Sequence, residues 1–173
     1  MLKEMSPYIR KGDVVLDFGC GRGTMSFLIA RDLGAKTLGI DVRDGRDYKI
    51  PFKKFDGLKI PFPDDSFDVV LASYVLHHTP DVRKLLGEIK RVCRRNVIIY
   101  EDTPVNFFQR IFCNFHGSIF NGFFKTGSVH HFFSVSQWHQ IFSDLSLKLI
   151  KEKNIGVFNP FYITKRTLFV LEK

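Results

Sequence analysis

The chain has 173 residues, and its hydrophobic fraction of 45% and charged fraction of 25% are those of an ordinary globular protein. This length predicts a single domain over residues 1–173. No apolar run approaches the roughly 20 residues of a membrane span, and the first residues lack the apolar stretch of a signal peptide, so we expect a cytoplasmic protein without a transmembrane segment. The formal net charge of +8 favours acidic partners, such as nucleic acid, an anionic membrane surface or an anionic substrate.

The cysteines and histidines argue against a disulfide-stabilised or metal-binding protein. Cys20, Cys93 and Cys113 are an odd number without a CxxC pair, which is typical neither of a disulfide framework nor of a zinc site. The histidine pairs at 77–78 and 130–131 lack the spacing of a known ligand set. We therefore expect no metal site.

The first 42 residues alternate between strand and helix. An apolar run over 13–19 predicts a buried strand. Residues 24–34 carry apolar side chains at helical spacing and end at Gly34, a common helix stop. A second strand is predicted over 36–42 and contains Asp41 near its end. Strand, glycine loop, helix and strand in this order predict a right-handed crossover between parallel strands.

The middle of the chain continues the pattern after an irregular stretch. Residues 43–66 contain three prolines and several turn pairs, with room for a brief third strand at 50–55 but for no convincing helix. A strongly apolar strand begins at residue 67. A helix over 80–94 has one apolar stripe, and 96–102 is another buried strand.

Residues 103–135 interrupt this rhythm, because nine of the 19 phenylalanines lie within 103–133. Helical spacing of apolar residues predicts that part of the segment is a helix; these residues are Phe108, Phe112, Phe115 and Ile119. Three interpretations stay open. The segment is a lid over an apolar substrate, an interfacial patch helped by Arg110 and Lys125, or a completion of the core with a dimer contact.

The last part of the chain predicts one helix and two strands. The helix covers 134–145, with Ser134 or Ser136 as its cap. The strands, over 147–158 and 164–173, have no helix between them and can pair in antiparallel orientation. The whole chain therefore predicts an α/β fold with a mostly parallel sheet and an antiparallel ending.

The stretch LDFGCGRGTMSF, residues 16–27, is the first candidate binding site. Its glycines let the backbone approach a ligand closely, and the helix behind it offers free N–H groups. A Walker loop needs a lysine that is absent here, and a dinucleotide fingerprint needs a later third glycine than Gly23. Asp17 would repel a pyrophosphate but attract an amine, and Asp41 can accept hydrogen bonds from both ribose hydroxyls. The pattern favours a ligand with a cationic amino-acid end and an adenosine end.

With these features the sequence resembles the class I S-adenosylmethionine-dependent methyltransferases, and most of all the small type 11 domains. The motifs VLDFGCGRG, LGIDV, FDGLKIPFPDDSFDVVLASYVLHHTPD and RRNVIIYED occur in the family's order over residues 13–102. The resemblance implies a Rossmann-like, mostly parallel seven-stranded sheet with an antiparallel C-terminal strand pair. Compared with the family, the N-terminal cap is reduced and the connection between strands 2 and 3 is short. Substrate selection would then rest on the Phe-rich segment.

The resemblance also implies roles for individual residues. Asp17, Gly19, Gly21 and Gly23 would face the methionine part of S-adenosylmethionine, and Asp41 would hold its ribose. Asp56 would meet the adenine amino group, with the Gly57 backbone facing the ring. Ser73 and Tyr74 would line the wall near the sulfonium and the substrate.

Methyl transfer from a sulfonium is an in-line displacement that needs alignment above all, and a general base only where the acceptor loses a proton. His78, after the fourth strand, and Tyr74, in the wall near it, are the candidate catalytic residues, with His78 as a base or substrate contact. His77 is interpreted as part of a turn before the next helix. Glu101 and Asp102 either orient the substrate or form an exposed strand end.

The sequence therefore predicts an S-adenosylmethionine-dependent methyltransferase that leaves S-adenosylhomocysteine as product. Its expected acceptor is a small molecule, lipophilic or aromatic in character, and peripheral membrane contact is compatible with the charge. The alternatives are an RNA or protein methyltransferase and a non-catalytic S-adenosylmethionine-binding partner subunit. A nucleic-acid acceptor is less favoured, because the chain has no NPPY-like motif for a flipped base. The oligomeric state is not predicted.

Overall fold

The computed structural model describes residues 1–109, 111, 113, 131–155 and 164–173. The strands are β1 Val14–Phe18, β2 Lys36–Asp41, β3 Phe52–Lys54, β4 Phe67–Ser73, β5 Cys93–Asp102, β6 Lys148–Ile155 and β7 Arg166–Glu172. The helices are α1 Leu2–Met5, α2 Thr24–Leu33, α3 Val82–Val92 and α4 Val135–Asp144, and two 3₁₀ turns cover Ser6–Tyr8 and Leu76–His78.

The strands form one sheet in the order β3-β2-β1-β4-β5-β7-β6. The first five strands are parallel, and β7 is antiparallel to both β5 and β6. The predicted α/β fold with its antiparallel C-terminal pair is confirmed. The strand order reverses between β1 and β4, so the carboxyl ends of these central strands open a crevice of the kind in which α/β sheets bind ligands.

Helices cover both faces of the sheet, because successive residues of each buried strand point to opposite faces. Leu16 and Val70 pack in the layer that holds α3 and α4, whereas Val15 and Val69 pack in the layer that holds α1 and α2. The central strands β1 and β4 therefore carry buried apolar residues on both faces, as expected for a parallel sheet that is covered on both sides.

The boundary between α3 and β5 differs from the expectation. Residue 93 already belongs to β5, so α3 passes directly into the strand without the short connection that the sequence suggested. The connection from β2 to β3 has no helix, as expected. In the Phe-rich segment Phe107–Gln109 is helical, whereas Phe112, Phe115 and Ile119 lie outside the described residues. That 1–173 is one domain stays a prediction.

Candidate functional site

A cavity of about 510 Å³ lies at the carboxyl ends of β1, β2 and β4. Of the ten predicted site residues, those in its wall are Gly19, Asp41, Asp56, Gly57, Tyr74 and His78. The other four, Asp17, Gly21, Gly23 and Ser73, lie outside the wall. The topology thus brings together residues that are up to 59 positions apart in the chain.

The glycine loop owes its shape to left-handed backbone at all three glycines, with φ of 69° at Gly19, 49° at Gly21 and 77° at Gly23. A Cβ atom on Gly19 would lie 2.2 Å from Cγ2 of Val75, which belongs to the β4–α3 connection. Gly19 therefore allows the loop and this connection to touch, and a larger residue would force them apart. Gly23 immediately precedes α2.

Asp17 points into the first turn of α2. Its Oδ2 accepts hydrogen bonds from the Ser26 backbone N–H at 3.1 Å and from the Ser26 hydroxyl at 2.6 Å. Burial raises the pKa of Asp17 to about 6, although both bonds from Ser26 lower it. The carboxyl group therefore supports the helix behind the loop. Its predicted contact with a cofactor amine stays a prediction, and sequence reasoning missed its partner Ser26.

Asp41 connects β2 to the glycine loop. Its Oδ2 accepts a hydrogen bond from the Gly21 N–H at 2.9 Å, and its Oδ1 accepts one from the Arg43 N–H at 3.3 Å. The carboxylate is thereby held at the cavity wall, where it is half-buried. This position, at the end of the second strand, is the one the sequence predicted.

Asp56 closes a tight turn rather than reaching across the site. Its Oδ1 accepts hydrogen bonds from the backbone N–H groups of Leu58 at 2.8 Å and Lys59 at 3.0 Å. The bonds from Lys59 and then Leu58 lower the pKa of Asp56, so the group is a carboxylate at neutral pH. Gly57, with φ of 82°, lets the chain turn there.

Sequence reasoning missed several apolar side chains of the cavity wall, and two of these are strongly exposed. Val42 is 46% exposed and Leu58 is 56% exposed, although both are aliphatic and both line the cavity. Each directly follows a predicted site residue, Asp41 or Gly57, and that adjacency is the signal that could have found them. Exposed aliphatic groups in a concave wall suit a flat apolar ring.

Tyr74 has an unusual conformation for an aromatic residue, with φ of 51°. It follows β4, and the Cζ of Arg166 lies 5.4 Å from the centre of its ring. Burial raises the pKa of Tyr74 to about 12, so the phenol is neutral and can donate a hydrogen bond. Strained backbone of this kind is often kept at functional sites.

Glu101 and Asp102 are 1% and 7% exposed, so the alternative of an exposed strand end is wrong. Neither lies in the cavity wall. Glu101 pairs with His77, and Asp102 pairs with Arg166 on the neighbouring strand at 3.4 Å. The sequence did not predict these pairings, because both depend on which strands and loops become neighbours. His77 lies in the 3₁₀ turn before α3, as expected, and the side chain that caps α3 is that of Asp81.

The remaining expectations concern metals, thiols and membranes. Within the described ranges no group of three or more metal-ligating side chains occurs, and the three cysteines are buried and free. A search of the same residues finds no helix that is long and apolar enough to cross a membrane. The cytoplasmic location stays a prediction.

Of the second histidine pair, His131 is exposed, and His130 lies outside the described residues.

Comparison with known proteins gives a family match over about half of the chain. Residues 16–100 match a family model described as a methyltransferase domain. The 2-phytyl-1,4-naphtoquinone methyltransferase of Synechococcus elongatus is 34% identical over 100 residues, which cover 49% of this chain and 43% of that protein. The 27-O-demethylrifamycin SV methyltransferase of Amycolatopsis mediterranei is 32% identical over 50% of this chain and 36% of that protein. The matches thus span less than half of the length of these relatives.

Solved structures extend the fold match over the whole chain. The YcgJ protein of Bacillus subtilis has a TM-score of 0.78 at 19% identity, covering 99% of this chain and 97% of that one. A methyltransferase from Methanosarcina mazei has a TM-score of 0.78 at 17% identity, covering 100% and 98%.

The fold and the site define a Rossmann-like α/β protein. Its cavity lies at the topological switch point, where sheets of this kind bind ligands. The family match then identifies the chain more closely. Over residues 16–100 it is similar to the methyltransferase-domain family, as the resemblance to class I S-adenosylmethionine-dependent methyltransferases implies.

Proposed function

We propose that the protein transfers a methyl group from S-adenosylmethionine to a small acceptor by in-line displacement, leaving S-adenosylhomocysteine. The observation that carries this proposal is the joining of Asp41 to the glycine loop at the mouth of the cavity, through the Gly21 N–H. The cavity is thus surrounded by the Asp41 carboxylate, by a glycine loop that a ligand can approach closely, and by the apolar side chains of Val42 and Leu58. An adenosine with an amino-acid tail needs all three.

The residues of the cavity fit this cofactor in chemical type. Asp41 would accept hydrogen bonds from the ribose hydroxyls, and Asp56 would accept one from the adenine amino group. Val42 and Leu58 would contact the adenine ring. The glycine loop would face the methionine part, with Asp17, Gly19, Gly21 and Gly23 as its predicted residues and Ser73 beside the sulfonium.

The bound cofactor supplies an already activated methyl group. The chain's own residues then have to align the acceptor and exclude water. Tyr74 and His78 lie in the same wall of the cavity. The neutral Tyr74 hydroxyl would orient an oxygen or nitrogen of the acceptor, and His78 would take up a proton where the acceptor loses one.

We further propose that the acceptor is lipophilic or aromatic. Four apolar side chains after β5 are strongly exposed, at the same edge of the sheet as the cavity: Val105 (53%), Phe107 (72%), Phe108 (77%) and Ile111 (49%). The names of the related enzymes describe a phytyl naphthoquinone, a rifamycin and, for a relative in Gibberella zeae that is 33% identical over 54% of this chain and 28% of that protein, a sterol. An acceptor of that kind would suit an apolar entrance.

The same exposed residues support peripheral contact with an anionic membrane, since the chain carries a net charge of +8 and no acidic residue between 103 and 143. Phe107→Ser with Phe108→Ser should abolish sedimentation with phosphatidylserine vesicles. Ile150→Ser is the matched control, because Ile150 is an exposed apolar residue on β6. Failure of the unaltered protein to bind vesicles would contradict the membrane contact without touching the methyl-transfer proposal.

The main test is calorimetry with S-adenosylmethionine and with S-adenosylhomocysteine. Asp41→Ala should weaken binding by at least tenfold, because the ribose loses its acceptor and the glycine loop loses the partner of Gly21. Asp32→Ala is the control, since this exposed acid bonds to Arg31 and to no other side chain among the described residues. If neither cofactor nor product binds the unaltered protein, the proposed function is wrong.

Labelled methyl transfer into lipid extract, metabolite extract and RNA then separates the candidate acceptors. Label in the lipid or metabolite fraction supports the proposal. Label in RNA alone would favour a nucleic-acid methyltransferase. Binding of the cofactor with no transfer to any fraction would favour a non-catalytic partner subunit.

A further inference from the structure

The carboxylate of Glu101, at the end of β5, holds three consecutive residues of the β4–α3 connection. Its Oε1 accepts hydrogen bonds from the backbone N–H groups of Val75 at 3.1 Å and Leu76 at 2.8 Å. Its Oε2 lies 2.6 Å from Nδ1 of His77. Glu101 is 1% exposed, so all three interactions are shielded from water.

This connection forms the wall of the cavity on the acceptor side. Tyr74, Val75 and His78 line the cavity, and the chain there takes a left-handed residue followed by a 3₁₀ turn. Such a path leaves backbone N–H groups without partners in regular structure. The Glu101 carboxylate supplies the acceptor for two of them, and an unsatisfied buried N–H would cost a large part of a hydrogen bond.

The wall is also in contact with the cofactor loop. The side chain of Val75 occupies the space beside Gly19 where a Cβ would otherwise lie. Glu101 fixes the backbone of Val75, and the Val75 side chain contacts Gly19. Glu101 therefore helps to set the position of the glycine loop through this one side-chain contact.

His77 extends the contact to the chain that enters α4. Its carbonyl oxygen accepts a hydrogen bond from the His131 N–H at 2.9 Å, and its ring stacks on Phe132 at 4.8 Å. The next residue, Phe133, lies 5.4 Å from the ring of Trp138, the single tryptophan of the chain. Burial lowers the pKa of His77, but the charge and hydrogen bond of Glu101 and the charge of Asp102 outweigh it, so the net direction is upward.

We propose that Glu101 is a positioning residue of the methyltransferase site. It sets the wall formed by Tyr74, Val75 and His78 against the glycine loop, and through His77 it joins this wall to residues 131–133. The role at the cofactor site depends on the proposed function, whereas the link to residues 131–133 does not.

The test compares three variants in their binding of S-adenosylhomocysteine. Glu101→Leu should weaken binding at least tenfold, because the wall loses its backbone acceptor. Glu101→Gln should stay within about threefold, since its amide oxygen still accepts from Val75 and Leu76. Asp13→Asn is the matched control and should stay within twofold. Asp13 is also a buried acid that accepts a backbone N–H and pairs with an arginine, but it lies at the amino end of β1.

Acrylamide quenching of Trp138 provides the second readout and needs no cofactor. Glu101→Leu and His77→Phe should each raise the quenching constant at least twofold, with Asp13→Asn unchanged, provided that thermal melts show folded protein. Unaltered binding in Glu101→Leu, or a loss in Glu101→Gln as large as in Glu101→Leu, would overturn the positioning role. Unaltered quenching in both variants would overturn the link to residues 131–133. Absence of binding in the unaltered protein would instead refute the proposed function.

Discussion

The two halves of the site are held together by different kinds of contact. In the cofactor half, at the ends of β1 to β3, the shape comes from backbone conformation and short-range hydrogen bonds, such as the turn that Asp56 makes with the next three residues. In the acceptor half, at the ends of β4, β5 and β7, it comes from buried side chains that meet across the sheet. Glu101 contacts residues 24 to 26 positions away. The turns of the cofactor half are therefore locally encoded, with one longer link from Asp41 to Gly21, whereas the acceptor half depends on buried side-chain contacts between strands and loops.

The largest expected effect is that of Gly19→Ala, at the point where the cofactor half touches the acceptor half. A Cβ at this left-handed residue would meet Val75, so we expect a loss of about 4 kcal/mol in the free energy of unfolding from strain and overpacking. Affinity for S-adenosylhomocysteine should fall at least a hundredfold. Chemical denaturation and calorimetry measure the two effects.

Gly87→Ala is the control for this substitution. Gly87 lies inside α3, and a Cβ there would have no neighbour within 4 Å. Alanine should stabilise the helix by up to about 1 kcal/mol and leave binding unchanged. Equal effects of the two alanines would show that the close contact between the loop and Val75 is unimportant.

In the acceptor half the corresponding test is Arg166→Met. Asp102 and Arg166 face each other on β5 and β7, and Asp102 is 7% exposed. Removing the cation from a buried pair should lower the free energy of unfolding by about 3 kcal/mol. Addition of Asp102→Leu should recover part of that loss. Lys148→Met, which breaks the exposed Lys148–Glu172 pair, should change little.

The comparison also explains which parts of the site the sequence could predict. Gly19 and Asp41 were predictable, because close-approach glycines and an acid at a strand end are local patterns. Glu101 was assigned correctly to a strand end, but its partner His77 was not foreseen. That pairing depends on the placement of β5 beside β4 and on the path of the loop after β4. Ser26 was missed for a similar reason, since its hydroxyl reaches back from the helix to Asp17.

Asp17 allows the cofactor half to be tested through the pH dependence of stability. Its pKa of about 6 lies above the value of about 3.9 in the unfolded chain, so the folded state binds its proton more tightly. Stability from this group is therefore complete below pH 4 and is lost as the pH rises through 6. Relative to Asp17→Asn, the apo protein should lose about 2–3 kcal/mol between pH 4 and pH 7.

Ser26→Ala sharpens this measurement. Both hydrogen bonds from Ser26 lower the pKa of Asp17, and alanine removes the hydroxyl donor. The loss of stability should then be centred at a higher pH than in the unaltered protein. Denaturation curves at several pH values would show it. Parallel curves for the unaltered protein and Asp17→Asn would contradict a buried, protonatable carboxyl at this position.

The smallest expected effect is at Asp56, where the local character of the cofactor half can be tested without disturbing the fold. Asp56→Asn keeps the oxygen that accepts from Leu58 and Lys59, so S-adenosylhomocysteine affinity should change less than twofold. Asp56→Ala removes the turn and should weaken binding about fivefold, with an unchanged melting temperature. A fivefold loss in both variants would mean that the negative charge, rather than the turn, is what the adenine side of the cavity requires.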